Sequence, residues 1–164
     1  LRFALERDDM ALTTLREELM AIELYLDIEK VRFSDRLSVE LSIAPDAYRC
    51  SVPSLLLQPI VENAIKYAIA QSEKGGTISV VARVKADQLM LSIDDSGPDQ
   101  CATRAVEYAQ GDDLSGVGIG LQNMNERLMT LYGEQFSVKH EPSALGGRSV
   151  SISLPATGQF EMAS

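Results

Sequence analysis

The sequence predicts an α+β sandwich in which a mixed, largely antiparallel sheet is covered on one face by helices. Two observations predict this fold. Segments with apolar residues at every second position occur in pairs, and segments with helical periodicity alternate with these pairs. The chain has 164 residues and a hydrophobic content of 45%, enough for one substantial core. We therefore expect one main domain with an additional helical element before it.

The first element is a long helix predicted over residues 4–33. Its heptad spacing of apolar residues indicates a coiled-coil seam, which favours dimerisation as a helical hairpin or a four-helix dimer. An amphipathic helix packed on its own domain is the alternative, since periods of about 3.5 and 3.6 residues are difficult to separate over a short segment. The seam residues are Leu5, Leu12, Leu19 and Leu26, with Leu15 and Ile22 between them.

A strand and a second helix follow. Apolar and polar residues alternate over residues 37–43, which predicts a strand. Residues 53–71 have a helical pattern, with Ser51 as the candidate N-cap and the pair Gly75-Gly76 as the stop. This helix carries most of the polar residues that we discuss below as a candidate site.

Two β-hairpins are predicted in the second half of the chain. Residues 77–85 and 88–94 alternate in polarity around a tight Ala86-Asp87 turn. A closing hairpin is predicted over residues 135–140 and 148–154. Paired strands of this kind supply the antiparallel part of the sheet.

The region between the hairpins is less regular. Residues 98–115 are polar and weakly periodic, with a candidate short helix over 103–110, and a connection of this length is typical of a functional loop. A helix is predicted over residues 121–131, after which the chain turns near Gly133.

Composition excludes several classes of function. The net charge of −9 argues against general binding to nucleic acid or anionic membranes, because that binding requires clustered cations. No uncharged stretch is long enough to cross a bilayer. Cys50, Cys101 and the lone His140 cannot form a structural zinc site. We expect an intracellular protein, and because Leu1 lies inside a helical pattern we expect a fragment of a longer one.

Three alternate glycines, Gly116, Gly118 and Gly120, open the helix that follows the irregular segment. Glycine allows positive φ and a close approach of backbone to an anion, and a helix N-terminus offers unpaired N–H groups to phosphate. The dinucleotide spacing is excluded, since its third glycine would fall on Leu121 or Asn123, and no Gly-Lys pair makes a P-loop. A flexible loop is the alternative interpretation.

One face of the second helix is polar. At about 100° per residue, Glu62, Asn63, Lys66 and Tyr67 fall on one side of the helix and apolar residues on the other. An amide oxygen suits Mg²⁺, and a lysine one turn away can neutralise phosphate charge. These residues therefore resemble a clamp for a metal and a triphosphate, although a solvated helix face would give the same pattern.

A carboxylate follows the first hairpin, at Asp95 of the sequence Asp95-Ser96-Gly97. A half-buried carboxylate there can accept a hydrogen bond from an exocyclic amine, which would discriminate adenine from guanine. Gly97 would let the chain leave the strand close to a ring. A simple Asx turn is the alternative for this motif.

The order of these motifs resembles the N, G1, G2 and G3 boxes of the GHKL ATPase superfamily, which includes sensor histidine kinases, gyrase, Hsp90 and MutL proteins. The pair Gly146-Gly147 before the final strand stands as the fourth box. Residues 55–64, LLLQPIVENA, look like the N-box of LytS-like sensor histidine kinases, and residues 23–37 are similar to the stretch that precedes their ATP domain. The resemblance covers residues 15–155 and implies a Bergerat-type fold.

The resemblance implies a role for each motif residue. Asn63 would be the Mg²⁺ ligand and, with Glu62 and Lys66, part of the catalytic set, while residues 98–115 would be a mobile lid over ATP. Nucleotide-binding residues would be Asn63, Lys66, Tyr67, Asp95, Gly97, Gly116, Gly118, Gly120, Leu121, Asn123, Gly146 and Gly147.

Two positions depart from the family pattern. Asp99 stands where the G1 box usually has a second glycine, and Pro59 stands where gyrase-type ATPases have a general-base glutamate. The first departure motivates a degenerate nucleotide-sensing or dimerisation module as an alternative function. The second makes a fast water-activating hydrolase an unsuitable interpretation.

The resemblance implies a histidine kinase that uses ATP and Mg²⁺ and passes the phosphoryl group to a response regulator. Residues 1–34 would be part of a dimerisation and phosphoacceptor region that forms a homodimer, 35–157 the ATP-binding domain, and 158–164 a tail. The acceptor histidine would lie outside the chain, since His140 is interpreted as an ordinary residue. We expect a cytoplasmic domain, no nucleic-acid partner, and membrane attachment only through missing N-terminal segments; a GHKL serine kinase of anti-sigma type is the other alternative.

Overall fold

A five-stranded sheet forms one layer of the computed structural model, which describes residues 12–69, 73–97 and 118–156. Its strands are β2 (Leu37–Ile43), β4 (Gly76–Lys85), β5 (Gln88–Asp95), β6 (Ser137–Pro142) and β7 (Arg148–Pro155). Their order in the sheet is β2-β4-β5-β7-β6, with β2 parallel to β4 and the other neighbours antiparallel. The predicted mixed, mostly antiparallel sheet is therefore confirmed.

The β4–β5 hairpin has the turn that its sequence predicts. Ala86 and Asp87 have φ values of 53° and 63°. A two-residue turn with positive φ at both positions matches the right-handed twist of the strands that it joins. The register places Ile78, Val80 and Ala82 opposite Asp95, Ile93 and Leu91.

In the described part of the chain, three α-helices cover one face of the sheet: α1 (Leu15–Phe33), α2 (Gln58–Ala64) and α3 (Gly118–Tyr132). The alternate strand residues that face them are buried, whereas the opposite face of the sheet carries mainly serines and charged residues. Burying each large aliphatic side chain contributes about 1.5–3 kcal/mol, so this interface stabilises most of the domain. The core includes Leu19, Ile22, Ile60, Val61, Ile78, Val80, Leu89, Leu91, Leu128, Val150, Ile152 and Leu154.

The first helix begins later than predicted. Leu12–Thr14 form a short strand, β1, which pairs antiparallel with β3 (Ser51–Pro53), so the prediction of helix over 12–14 is wrong. Thr14 is the N-cap of α1: its hydroxyl accepts from the amide of Glu17, and the Glu17 carboxylate accepts from the amide of Thr14. This capping box stops the helix from extending towards the N-terminus.

The described seam residues pack inside their own domain. Leu15, Leu19, Ile22 and Leu26 are each at most 2% exposed, and Leu12 lies in β1. They are therefore not available as a dimer seam, which corrects the coiled-coil prediction in favour of its alternative. Leu5 lies outside the described residues. A different face of α1 is apolar and exposed, at Met20, Leu24, Ile28 and Val31.

The second helix is shorter than the predicted range of 53–71. It begins at Gln58, Ser51 lies in β3 instead of capping it, and Leu55 has a φ of 60° in the turn before it. A π-helical segment, Ile65–Ile69, continues α2. None of the helices in the described part of the chain is long and apolar enough to cross a membrane.

Candidate functional site

The Asp95 carboxylate lies at the end of β5 on the helix-covered side of the sheet and is 5% exposed. Its Oδ1 accepts hydrogen bonds from the amides of Gly97, at 3.0 Å, and Arg148, at 3.2 Å. Two amide donors satisfy this oxygen and fix the plane of the carboxylate. Neither of these two bonds involves Oδ2. The orientation of Oδ2 is therefore set by the bonds to Oδ1.

The neighbouring carboxylate, Asp94, points to the opposite face. It accepts from the hydroxyls of Ser92, Ser149 and Ser143 at 2.8–2.9 Å. Alternation along the strand separates the two acids, so that one belongs to the open face and the other to the helix-covered face.

Gly147 closes the space beside Asp95. Its amide donates to the Asp95 carbonyl at 3.1 Å, and a Cβ added here would overlap both Asp95 and the amide of Gly97. Only glycine fits this contact. Gly146 has a φ of 109°, a backbone conformation that also favours glycine. The structure thus brings together Asp95, Gly97, Gly146 and Gly147, four of the residues that the sequence motifs single out.

The polar residues of the N-box lie on α2 and the segment after it. Asn63 is half-buried, while Glu62 and Lys66 are exposed. Glu62 accepts a hydrogen bond from Gln58 at 3.0 Å. Because Lys66 and Tyr67 belong to the π-helical segment, the projection at 100° per residue does not apply to them. The side chain of Tyr67 lies outside the described residues.

Glu62 also lies close enough to α1 to act on its tyrosine. Burial, and then the negative charges of Glu29 and Glu62, raises the pKa of Tyr25 to about 12. The phenol is therefore neutral at ordinary pH.

The glycine run is described in part. Gly118 and Gly120 form the first turn of α3, which begins three residues before the predicted start at Leu121. The backbone of Leu121 and Asn123 is helical, and their side chains are outside the described residues, as are Gly116 and the predicted lid and short helix over 98–115.

The turn before α2, residues 54–57, is held by side chains that the motif analysis does not single out. Glu18 of α1 is 4% exposed and accepts from the amides of Leu55, at 3.1 Å, and Leu57, at 2.9 Å. Arg127 of α3 donates to the carbonyl of Ser54. The sequence signal for Glu18 is its position on the apolar side of α1, between Leu15 and Leu19, where a charged residue requires buried partners.

His140 lies half-buried on β6. Burial, and then the positive charge of the buried Arg148, lowers the pKa of His140. Both effects favour the neutral imidazole over the protonated form.

The donor set suits a magnesium ion that a nucleotide helps to hold. Among the described residues there is no group of three or more His, Cys, Asp or Glu that could hold a metal. The amide oxygen of Asn63 is the kind of hard ligand that Mg²⁺ accepts, and Mg²⁺ commonly combines one or two protein oxygens with phosphates and water. The residues present therefore fit a metal that arrives with a triphosphate.

Comparison with known families and proteins gives a consistent result. The family of histidine kinase-, DNA gyrase B-, and HSP90-like ATPases matches residues 53–158. Sensor protein LytS of Staphylococcus haemolyticus is 34% identical over 145 residues, covering 87% of this chain and 25% of that protein. Sensor histidine kinase YpdA of Escherichia coli is 30% identical over 156 residues, covering 94% of this chain and 26% of that protein. The chain thus spans about a quarter of these relatives.

Solved structures show the same fold. The catalytic domain of histidine kinase ThkA superposes with a TM-score of 0.64 at 13% identity, covering 89% of this chain and 95% of that one. The mycobacterial sensor histidine kinase MprB gives 0.56 at 17% identity, covering 89% and 97%.

Proposed function

The chain belongs to the family of histidine kinase-, DNA gyrase B- and HSP90-like ATPases as the ATP-binding catalytic domain of a sensor histidine kinase, and we propose that it transfers the γ-phosphoryl group of ATP to a histidine. The acceptor lies outside these 164 residues, and the phosphoryl group passes on to a response regulator. The chain alone binds nucleotide and turns over little.

The buried Asp95 carboxylate is the observation that carries this proposal. Its Oδ1 is held by the amides of Gly97 and Arg148, so Oδ2 is presented in a fixed direction. An exocyclic amine donates well to such an oxygen, whereas the carbonyl of guanine would leave two acceptors facing each other. Asp95 therefore selects adenine, with Gly97, Gly146 and Gly147 shaping the pocket around the ring.

We expect the N-box residues and the glycine run to bind the phosphates of the nucleotide. Asn63 would ligate Mg²⁺, which would neutralise phosphate charge, and Glu62 would polarise the reacting groups. Lys66 and Tyr67 contact phosphate. The glycine run would let the backbone approach the triphosphate closely. The residues concerned are Gly116, Gly118 and Gly120, with Leu121 and Asn123 after them. The domain would contribute to catalysis by positioning the reactants and neutralising charge, because phosphoryl transfer requires little covalent chemistry from the protein.

The chain dimerises through α1, but through a different face of this helix from the predicted seam. Leu15, Leu19, Ile22 and Leu26 are buried in the domain, whereas Met20, Leu24, Ile28 and Val31 are 58–83% exposed along one side of the helix. Exposed apolar side chains at helical spacing form the kind of stripe that packs against a second helix. In the parent protein, residues 1–34 belong to the dimerisation region and the domain works in the cytoplasm, where ATP is available.

Isothermal titration with a non-hydrolysable ATP analogue, with and without Mg²⁺, tests the proposal. We expect saturable binding that prefers adenine to guanine nucleotide. Asp95→Asn should weaken it at least tenfold, about 1.4 kcal/mol or more. Asp94→Asn is the matched control, because it removes the same charge from the adjacent residue on the opposite face. Absence of binding at millimolar nucleotide would contradict the proposal.

A further inference from the structure

Glu18 is a buried acid of the helical layer, with an exposed fraction of 4%. Burying a carboxylate without hydrogen-bonding partners is strongly unfavourable. Glu18 has partners in the amides of Leu55 and Leu57, which lie 37 and 39 residues further along the chain. This contact is therefore a tertiary tie between α1 and the turn before α2.

The turn needs that tie because its backbone is strained. Leu55 has a φ of 60°, in the left-handed region that a leucine rarely adopts. Its side chain is 49% exposed, so its own burial offsets little of the strain. Two hydrogen bonds to a charged acceptor are stronger than ordinary amide bonds, and here both end on one carboxylate.

The turn also sets the origin of α2. Leu57, whose amide donates to Glu18, is the acceptor for the amides of Ile60 and Val61 at 3.1 and 3.0 Å. The same residue thus contacts α1 through its amide and, through its carbonyl, begins the hydrogen-bond ladder of the helix that carries Asn63.

A second helix reaches the same turn from the other side. Arg127 of α3 donates to the carbonyl of Ser54. The turn is therefore where α1, α2 and the helix that follows the glycine run are joined by polar contacts.

We propose that Glu18 is a positioning residue for the nucleotide site: by holding the amides of Leu55 and Leu57, it fixes α2 relative to α1 and so sets the location of Asn63. This proposal rests on the proposed function, which is where Asn63 is assigned as a metal ligand. Its consequence is regulatory. A displacement of α1 would move α2 and Asn63 through the hydrogen bonds of Glu18. Asp95 would stay in place, because its contacts are made by β5 and β7.

The affinity test compares Glu18→Gln with Glu23→Gln, which removes the same charge from an exposed position of α1. Glutamine keeps one acceptor but turns an N–H group towards one of the amides. We expect Glu18→Gln to reduce the Mg²⁺-dependent gain in affinity for the ATP analogue about tenfold, as for loss of a buried charged hydrogen bond. The preference for ATP over GTP should not change, because Asp95 is on β5. An unchanged Mg²⁺ dependence in folded Glu18→Gln would overturn the proposal.

Amide hydrogen exchange gives a readout that needs no nucleotide. In Glu18→Gln we expect faster exchange at Leu57 and through α2, with β5 unaffected and Glu23→Gln like the unmodified chain. Glu18→Asp retains the charge on a shorter side chain and should restore part of the protection. Unchanged protection of α2 in Glu18→Gln would refute the positioning role. If the unmodified chain bound no nucleotide, the proposed function would fail, and hydrogen exchange would still decide whether Glu18 fixes α2.

Discussion

The Oδ1 atom of Asp95 accepts a hydrogen bond from the amide of Arg148, a residue 53 positions further along the chain. This bond joins the ends of β5 and β7 at the place where Gly147 also donates to the Asp95 carbonyl. The geometry of the proposed adenine site around Asp95, which we call the base site, is thus set by two neighbouring strands, and changes in either strand should alter it.

Gly147→Ala should damage the base site and the fold together. Its Cβ would overlap Asp95 and Gly97, and the overlapped atoms include backbone, which cannot easily move away. We expect a loss of about 1–3 kcal/mol in the free energy of unfolding and at least a tenfold loss in ATP-analogue affinity. Urea denaturation and calorimetric titration measure the two effects.

Gly133→Ala is the matched control for that experiment. Gly133 has a φ of +62°, but a Cβ there would have no heavy atom of the described residues within 4 Å. It should therefore cost only the backbone strain, about 1 kcal/mol, and leave nucleotide affinity unchanged. Equal loss of affinity in both variants would contradict the close contact at Gly147.

Thr14→Ala should destabilise the start of α1. The variant loses the hydroxyl that accepts from the Glu17 amide at 3.2 Å, and we expect a decrease of about 1 kcal/mol in the free energy of unfolding. Thr14→Ser should retain most of the stability. Thr130→Ala, an exposed position within α3, is the control and should change stability by less than about 0.5 kcal/mol. Thermal and urea denaturation would disprove the cap if the Thr14 and Thr130 variants behaved alike.

Stability should fall in mild acid because of His140. Burial and the charge of Arg148 lower the pKa of His140 in the folded chain below the ordinary value of 6.5. The unfolded chain therefore binds a proton more readily, and the stabilisation, complete above the unfolded pKa, is lost as pH falls through the folded pKa. Urea denaturation between pH 7.5 and pH 5 should show a steeper decline for the unmodified chain than for His140→Gln. Parallel declines would exclude this residue as the cause.

The exposed apolar face of α1 predicts a dimer that should dissociate when negatively charged residues are introduced into that face. Leu24→Glu combined with Ile28→Glu should raise the dissociation constant of the dimer at least tenfold in sedimentation velocity experiments, without unfolding the domain. Met129→Glu, at an exposed apolar position of α3, is the control and should have no effect. A monomeric unmodified chain, or a dimer insensitive to the double variant, would contradict this interface.

The sheet could be predicted from the sequence because its signals are local. Alternating polarity and the Ala86-Asp87 turn locate the β4–β5 hairpin, and the motif spacing places Asp95 at the end of a strand. The order of the motifs likewise anticipated the grouping of Asp95 with Gly147.

Features that depend on distant partners could not be predicted in the same way. Leu12 fits the heptad pattern, but its backbone pairs with Pro53 in a strand. Heptad spacing identifies an apolar face without identifying what covers it, so Leu19 and Leu26 predict a dimer seam although their own domain buries them. The role of Glu18 depends on amides that lie 37 and 39 residues away.

Asp94 and Asp95 are consecutive residues whose side chains leave β5 in opposite directions, which makes the base site sensitive to strand register. A slip of β5 by one residue would exchange the two acids, bringing the serine-bonded carboxylate into the pocket. The two-residue Ala86-Asp87 turn at the far end of the strand fixes the register. The base specificity that we propose for Asp95 thus depends partly on an exposed turn at the opposite end of β5, and lengthening that turn by one residue should alter it.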